Sequence, residues 1–209
     1  MNYPRVIENL IEGMVKLPGV GRRSAERMVL WLLNNPAEEA MNLSRSIAEL
    51  KEKLRFCKLC NNFSEGDICP VCMDSSRDAR LICVVENPKD VIAIEKTGTF
   101  KGQYYVLLGI ISPSEGQGPD DLNTAKLLQR IQAQNVQEVI LATDADMEGE
   151  LTALHLIRVL QPCGVRVSRI GVGIPAGGSL EFADMSTLTM SFQSRRAVSA
   201  EPVRDRVQV

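Results

Sequence analysis

Apolar residues recur at helical spacing through "VIENLIEGMVKLPGVGRRSAERMVLWLLNN", on both sides of a Pro-Gly-Val-Gly break. Val6, Leu10, Ile11 and Met14 form one stripe and Ala25, Met28, Val29 and Leu32 another, which predicts helix, tight turn, helix. A third helix is predicted over 37–54, "AEEAMNLSRSIAELKEKL". After a Cys-rich stretch at 57–72, too polar and too short for a core of its own, the pattern changes. "ARLICVVE" at 79–86 is a continuous apolar, β-branched run that ends at the polar "NPKD", and it predicts a buried strand. A helix over 88–95 follows, then a strand at "YYVLLG" and a Gly/Pro/Ser-rich loop over 112–119. "TAKLLQRIQAQ" predicts a helix, "EVILAT" a strand, "EGELTALHLIRVLQ" a helix and "RVSRIGVG" a strand. Such alternation predicts an α/β fold whose sheet is mostly parallel and joined by crossover helices. Residues 192–209 carry little periodicity and predict little regular structure.

With 209 residues, 44% of them hydrophobic and 24% charged, the chain has apolar material for one good core and small satellite modules. Fibrous and fully disordered classes are excluded by that balance. Neither a membrane-length apolar run nor a secretion leader is evident, so a cytoplasmic location is expected. A net charge of -2 gives no global attraction to polyanions, so nucleic-acid contact must come from local clusters such as Arg22, Arg23 and Arg27.

Four of the six cysteines stand in two CxxC pairs, Cys57 with Cys60 and Cys69 with Cys72, separated by eight residues. Two such turns bring four thiolates to tetrahedral reach, which suits zinc and lets a segment without a core hold its shape. With all four ligand positions filled, the zinc is expected to be structural; four unrelated reduced thiols are the alternative. Cys83 and Cys163 lie in apolar runs and are expected to be core thiols.

In "LPGVGRRSAERM", Gly19 and Gly21 permit a tight turn, and the next helix would present its first N–H groups to a phosphate. Lys16, Arg22, Arg23 and Arg27 add charge for contacts that ignore base identity. A helix hairpin that serves only packing or dimerisation is the other reading of the same residues.

"LATDADMEGE" packs Asp144, Asp146, Glu148 and Glu150 into seven positions just past a predicted strand end, where open α/β sheets bind ligands. Glu86 ends an earlier strand and could reach the same crevice. Hard oxygen ligands grouped in this way suit magnesium, or a partner-docking surface. A solvated loop that caps the helix beginning near Glu148 explains the same carboxylates without a ligand. His155 sits mid-helix with no visible partner, and none of Tyr3, Tyr104 and Tyr105 has the surroundings of an activated nucleophile.

Taken in order, these modules resemble the bacterial recombination-mediator family RecR. The resemblance runs through "YPRVIENLIEGMVKLPGVG", the CxxC pairs, "VVENPKDVIAIEKTG", "GIISPSEGQGPDDLN", "VILATDADMEGE" and "GIPAGGSLEFAD", nearly all of residues 3–196. It implies a helix-hairpin-helix domain at 1–54, a four-cysteine zinc module at 55–76 and a Toprim domain at 79–175. A Walker-B-like C-terminal segment at 176–209 completes the implied order. The resemblance also implies dimers or ring-shaped tetramers that surround single- or double-stranded DNA and act with RecO and RecF to place RecA on single strands. No chemistry of its own is implied, and the location would be cytoplasmic and nucleoid-associated. Asp144 and Asp146 depart from the family toward the metal-binding form of the Toprim site, which keeps a magnesium-dependent nuclease as the alternative. Val172, Ser179 and Phe182 also depart from the pattern, leaving Glu181 and Asp184 as the matching acids of a nucleotide motif, and no GxxxxGK[ST] loop accompanies them.

Overall fold

The computed structural model describes residues 3–195; of the stretch 192–209, expected to lack regular structure, Phe192 and Gln193 instead end a helix, and the residues from 196 onward lie outside the described residues. These residues divide into two compact units, one ending at Arg55 and the other beginning at Phe56.

The first unit is three helices, α1 (Arg5–Val15), α2 (Arg22–Asn34) and α3 (Ala37–Lys53). Gly19, at φ +75°, takes the left-handed conformation that the turn between α1 and α2 demands. Among the described residues of this unit only Ile11, Ala25 and Val29 are buried in its core, with Ile7, Met14 and Val20 packed against them. Val6, Leu10 and Met28, expected to share that core, are exposed instead. Three helices alone enclose too little volume to cover both stripes, and α3, although 17 residues long, buries none of them.

A ribbon of β1 (Arg55–Phe56), which straddles the boundary, and β2 (Phe63–Ser64) opens the second part of the chain, followed by the short α4 (Pro70–Met73). Then come β3 (Asp78–Val85), α5 (Pro88–Glu95), β4 (Gly102–Val106), α6 (Thr124–Gln134), β5 (Glu138–Ala142), α7 (Met147–Leu160), β6 (Arg166–Arg169) and α8 (Met185–Gln193). β3 to β6 form one four-stranded, wholly parallel sheet in the order β4-β3-β5-β6. The predicted α/β class is thus observed.

Period-two alternation along β3 feeds two cores. Ile82 and Val84 face Leu127 and Ile131 of α6 and Leu156 and Leu160 of α7, while Cys83 and Val85 face Val91 of α5. Cys83 is buried, as expected, and Cys163 is half-buried against the first core.

Two differences from the pattern have physical causes. The strand expected at 104–109 is β4, two residues earlier, because Leu108 turns to φ +60° and ends the ladder. α8 was not expected in its Ser/Thr-rich sequence, whose residues are poor helix formers. Its start is fixed by Asp184, whose carboxylate accepts the N–H of Thr187 at 2.9 Å.

Candidate functional site

β3 connects outward to β4 and β5 connects the other way to β6, so the adjacent C-terminal ends of β3 and β5 form the switch point where open sheets bind ligands. Glu86 follows β3 and Asp144 follows β5. The buried Glu86 carboxylate accepts the backbone N–H of Asp144 at 3.0 Å. Burial pushes the Glu86 carboxyl up, and the nearby Asp144, Asp146 and Asp90 add to the effect.

Three of the four carboxylates of "DADMEGE" have separate structural tasks. Asp146 caps α7, its Oδ1 accepting the Gly149 N–H at 2.7 Å. Glu148 accepts hydroxyl bonds from Ser112 and Ser114 and so ties the loop after β4 to α7. Glu150 is ion-paired with Arg169 of β6, whose guanidinium also reaches the Asp144 carbonyl at 3.4 Å. Asp144 keeps an exposed side chain. Glu86, Asp144 and Asp146 are therefore neighbours, but their oxygens are not drawn into one ligand set; among the described residues only the cysteines are.

Gly149 belongs to this site and was missed by motif reasoning. A Cβ there would stand 2.2 Å from the Asp144 carbonyl oxygen, so only glycine lets the first turn of α7 approach the loop. The signal was present as a glycine inside a predicted helix.

The two buried tyrosines, Tyr104 and Tyr105, are both hydrogen-bonded. The Tyr104 hydroxyl donates to Glu95 at 2.6 Å and the Tyr105 hydroxyl to the Asn123 carbonyl at 2.8 Å, and burial pushes both up. His155 is half-buried on α7.

Cys57, Cys60, Cys69 and Cys72 place their four sulfurs within 4.8 Å of one another. A zinc tetrahedron with Zn–S near 2.3 Å has edges of ~3.8 Å, so the sulfurs fit the ion. Sulfur acceptors are prepared by the backbone: the Cys69 N–H points at Cys57 Sγ (3.3 Å) and the Asn62 N–H at Cys60 Sγ (3.5 Å). Cys60 and Cys69 share one hydrogen bond, which pushes Cys60 up and Cys69 down. A dication would hold all four sulfurs as thiolates.

This cluster also covers a sheet edge. β4 is an edge strand, and its Val106 N–H donates to the Cys60 carbonyl at 2.8 Å while the Asn61 amide donates to the Val106 carbonyl at 2.9 Å. Buried Arg130 of α6 adds bonds to the carbonyls of Leu59 (3.3 Å) and Tyr104 (2.8 Å) and to the Gln103 side chain. Nothing in the spacing of "LLQRIQ" distinguishes this arginine from a solvated one.

In the helical unit, Arg22 is not free. Its guanidinium bonds Glu8 at 2.6 Å and faces Glu26 at 3.3 Å, and these contacts hold it further above its usual value. Lys16, Arg23 and Arg27 are exposed and have no ion pair among the described residues. Gly21 is the residue preceding the first turn of α2, and Gly19 lies two residues before it.

Comparison with known proteins gives four family matches in chain order. They are the RecR helix-hairpin-helix at residues 7–51, the RecR four-cysteine zinc finger domain at 54–74, the Toprim domain at 80–171 and the RecR C-terminal segment at 173–196. The chain is 50% identical over 187 residues to recombination protein RecR of Syntrophotalea carbinolica, covering 90% of this chain and 94% of that one. It is 47% identical to recombination protein RecR of Tropheryma whipplei strain Twist, over 94% of this chain and all of that one. With the RecR of Desulforudis audaxviator the identity is 46%, over 95% and 100% of the two chains. The four-cysteine geometry, the parallel sheet and these matches agree, and the chain belongs to the RecR family.

Proposed function

We propose that this protein is a recombination mediator for DNA repair, a scaffold without chemistry of its own that encloses DNA as a homodimer or homotetramer. It acts with RecO and RecF to promote RecA loading on single strands, in the cytoplasm and at the nucleoid. Membership of the RecR family supports the recombination role, and the relatives are themselves named recombination proteins. The observation that carries the DNA-binding part is the row of cations Lys16, Arg23 and Arg27, without an ion pair among the described residues, around the turn that holds Gly19 and Gly21. Their contacts are with phosphates, so binding is independent of sequence and sensitive to salt.

Oligomerisation is supported by the apolar surface of the helical unit, where Val6 is 82% exposed, Leu33 66% and Ile47 58%. With few free cations per subunit, affinity depends on several subunits acting together. The segments 1–54, 55–76, 79–175 and 176–209 are the proposed working parts. Zinc at the four cysteines supplies a structural cross-link. Among the described residues no helix is long and apolar enough to cross a membrane.

A magnesium-dependent Toprim nuclease is the second reading, favoured by Glu86, Asp144 and Asp146 meeting at the switch point. Against it stands the use of Asp146 as a helix cap and of Glu148 as a loop anchor. On the scaffold reading the crevice docks a partner protein.

Fluorescence anisotropy of labelled single- and double-stranded oligonucleotides across a salt series tests the proposal. Replacing Arg23 and Arg27 by alanine should weaken both complexes and flatten the salt slope by roughly two. Arg22→Ala should change the slope less, since Glu8 and Glu26 already hold that charge. Slopes unaffected by Arg23 and Arg27 would move the DNA site elsewhere.

A further inference from the structure

α2 carries one feature that phosphate binding leaves unused. Trp31 is the sole tryptophan of the sequence, and it is 55% exposed on a helix whose buried positions are Ala25 and Val29. A large aromatic in that position gains little from the fold, since half of its surface remains in water. Trp31 lines a groove of ≈ 430 Å³ together with Ser24, Arg27, Met28, Leu32 and, from α3, Leu43. Arg27 lies one helical turn before Trp31, and Arg23 one turn before that, so the three form a single ridge toward the start of α2.

The groove's chemistry is two-part. Its lining is mostly apolar, with Trp31 as the one aromatic, which suits a flat, weakly polar ring, and it includes the Arg27 guanidinium, which has no ion pair among the described residues. A purely apolar occupant would remove Arg27 from water without a counter-charge, which is costly. A ligand with a π-face and a neighbouring anion meets both demands. We infer that Trp31 is a stacking platform for an unpaired nucleobase, with Arg27 and Arg23 taking the phosphates on either side, so that this groove distinguishes single-stranded from duplex nucleic acid. The inference rests on the DNA-binding reading given above and adds to it a preference for strand form, which phosphate contacts alone do not supply.

A lone tryptophan makes the test direct. Intrinsic emission of the full-length, zinc-loaded protein is followed during titration with a single-stranded oligothymidylate and with a duplex of equal length, while anisotropy of the same labelled DNAs reports binding. Stacking predicts quenching of Trp31 by the single strand and little change with the duplex. Trp31→Leu, which keeps apolar bulk without a π-face, should lose about fivefold or more in single-strand affinity, and Trp31→Phe should lose less. Duplex affinity of both variants should remain near that of the parent chain.

Binding of the single strand with unchanged emission, or equal losses for both DNA forms, would overturn the stacking role and leave phosphate binding standing. Emission that follows protein concentration and ignores DNA would assign the groove to a second copy of this chain and overturn the inference. Failure to bind either DNA at low salt would remove the DNA-binding reading and the inference with it.

Discussion

Glu86 and Asp144, 58 positions apart in sequence, are joined by a 3.0 Å hydrogen bond from the Asp144 backbone N–H to the Glu86 carboxylate. That bond crosses the ends of two adjacent parallel strands and fixes the loop that bears the remaining acids. Glu86 thereby has a bracing role in the fold whether or not a cation enters the crevice.

Burial raises the Glu86 carboxyl, so the folded protein holds this proton more tightly than the unfolded chain, where the group titrates near 4.5. Stability is therefore lost as pH rises from 4.5 through the folded value, and it stays lower above it. Glu86→Gln keeps an oxygen acceptor for Asp144 and carries no charge. Its stability relative to the parent chain, measured by urea unfolding, should improve between pH 4.5 and neutrality. A difference that does not vary over that range would show that Glu86 is not burdened by burial.

Asp146 separates capping from metal binding. Asp146→Ala should destabilise the protein by about 1 kcal/mol, whereas Asp146→Asn, an equally good cap, should cost a few tenths at most. A calorimetric magnesium titration of the asparagine variant then reports on ligation alone. If both variants unfold at the same urea concentration, the bond to Gly149 does not support α7.

Zinc holds the module that covers the edge of β4, so its loss should reach beyond the cysteines. Cys60→Ser or chelation should destabilise the second unit by on the order of 4 kcal/mol. Hydrogen exchange should show protection lost at Val106 and its neighbours in β4, because Val106 donates to the Cys60 carbonyl. Protection maintained in β4 after zinc removal would mean that the sheet edge is closed by other contacts.

Arg130 is buried with its guanidinium committed to Leu59, Gln103 and Tyr104, and its Nε to Gln134. Arg130→Ala leaves these acceptors unpaired and should cost about 3 kcal/mol, and Arg130→Lys about 2 kcal/mol, since an ammonium cannot span the same fork. Urea midpoints of the two variants check the order and the size.

The sequence made some of this plain and concealed the rest for identifiable reasons. Buried strands were legible because β3 and β5 are continuous apolar runs, and the four-cysteine cluster because two CxxC turns leave few other arrangements. Arg22 read as a free cation, yet its partner Glu8 is 14 residues away on α1, and no local pattern announces a contact across a turn. Arg130 was invisible for the same reason, its acceptors lying on β4 and in the cysteine module. The acidic stretch read equally as a ligand set and as a cap; side-chain direction decides between these, and spacing alone does not carry it. Val6, Leu10 and Met28 share the helical period of the core residues, but period predicts a face and says nothing of whether this chain covers it.

The central claim, a DNA-binding scaffold that performs no cutting, is tested most directly in one set of tubes. Labelled single- and double-stranded DNA is incubated with the purified protein and with the variant carrying Asp144→Asn and Asp146→Asn, across a titration of magnesium or manganese. DNA bound by both proteins and recovered at full length is the predicted result. Metal-dependent fragments from the parent protein, absent with the variant, would contradict the account and establish a working Toprim nuclease.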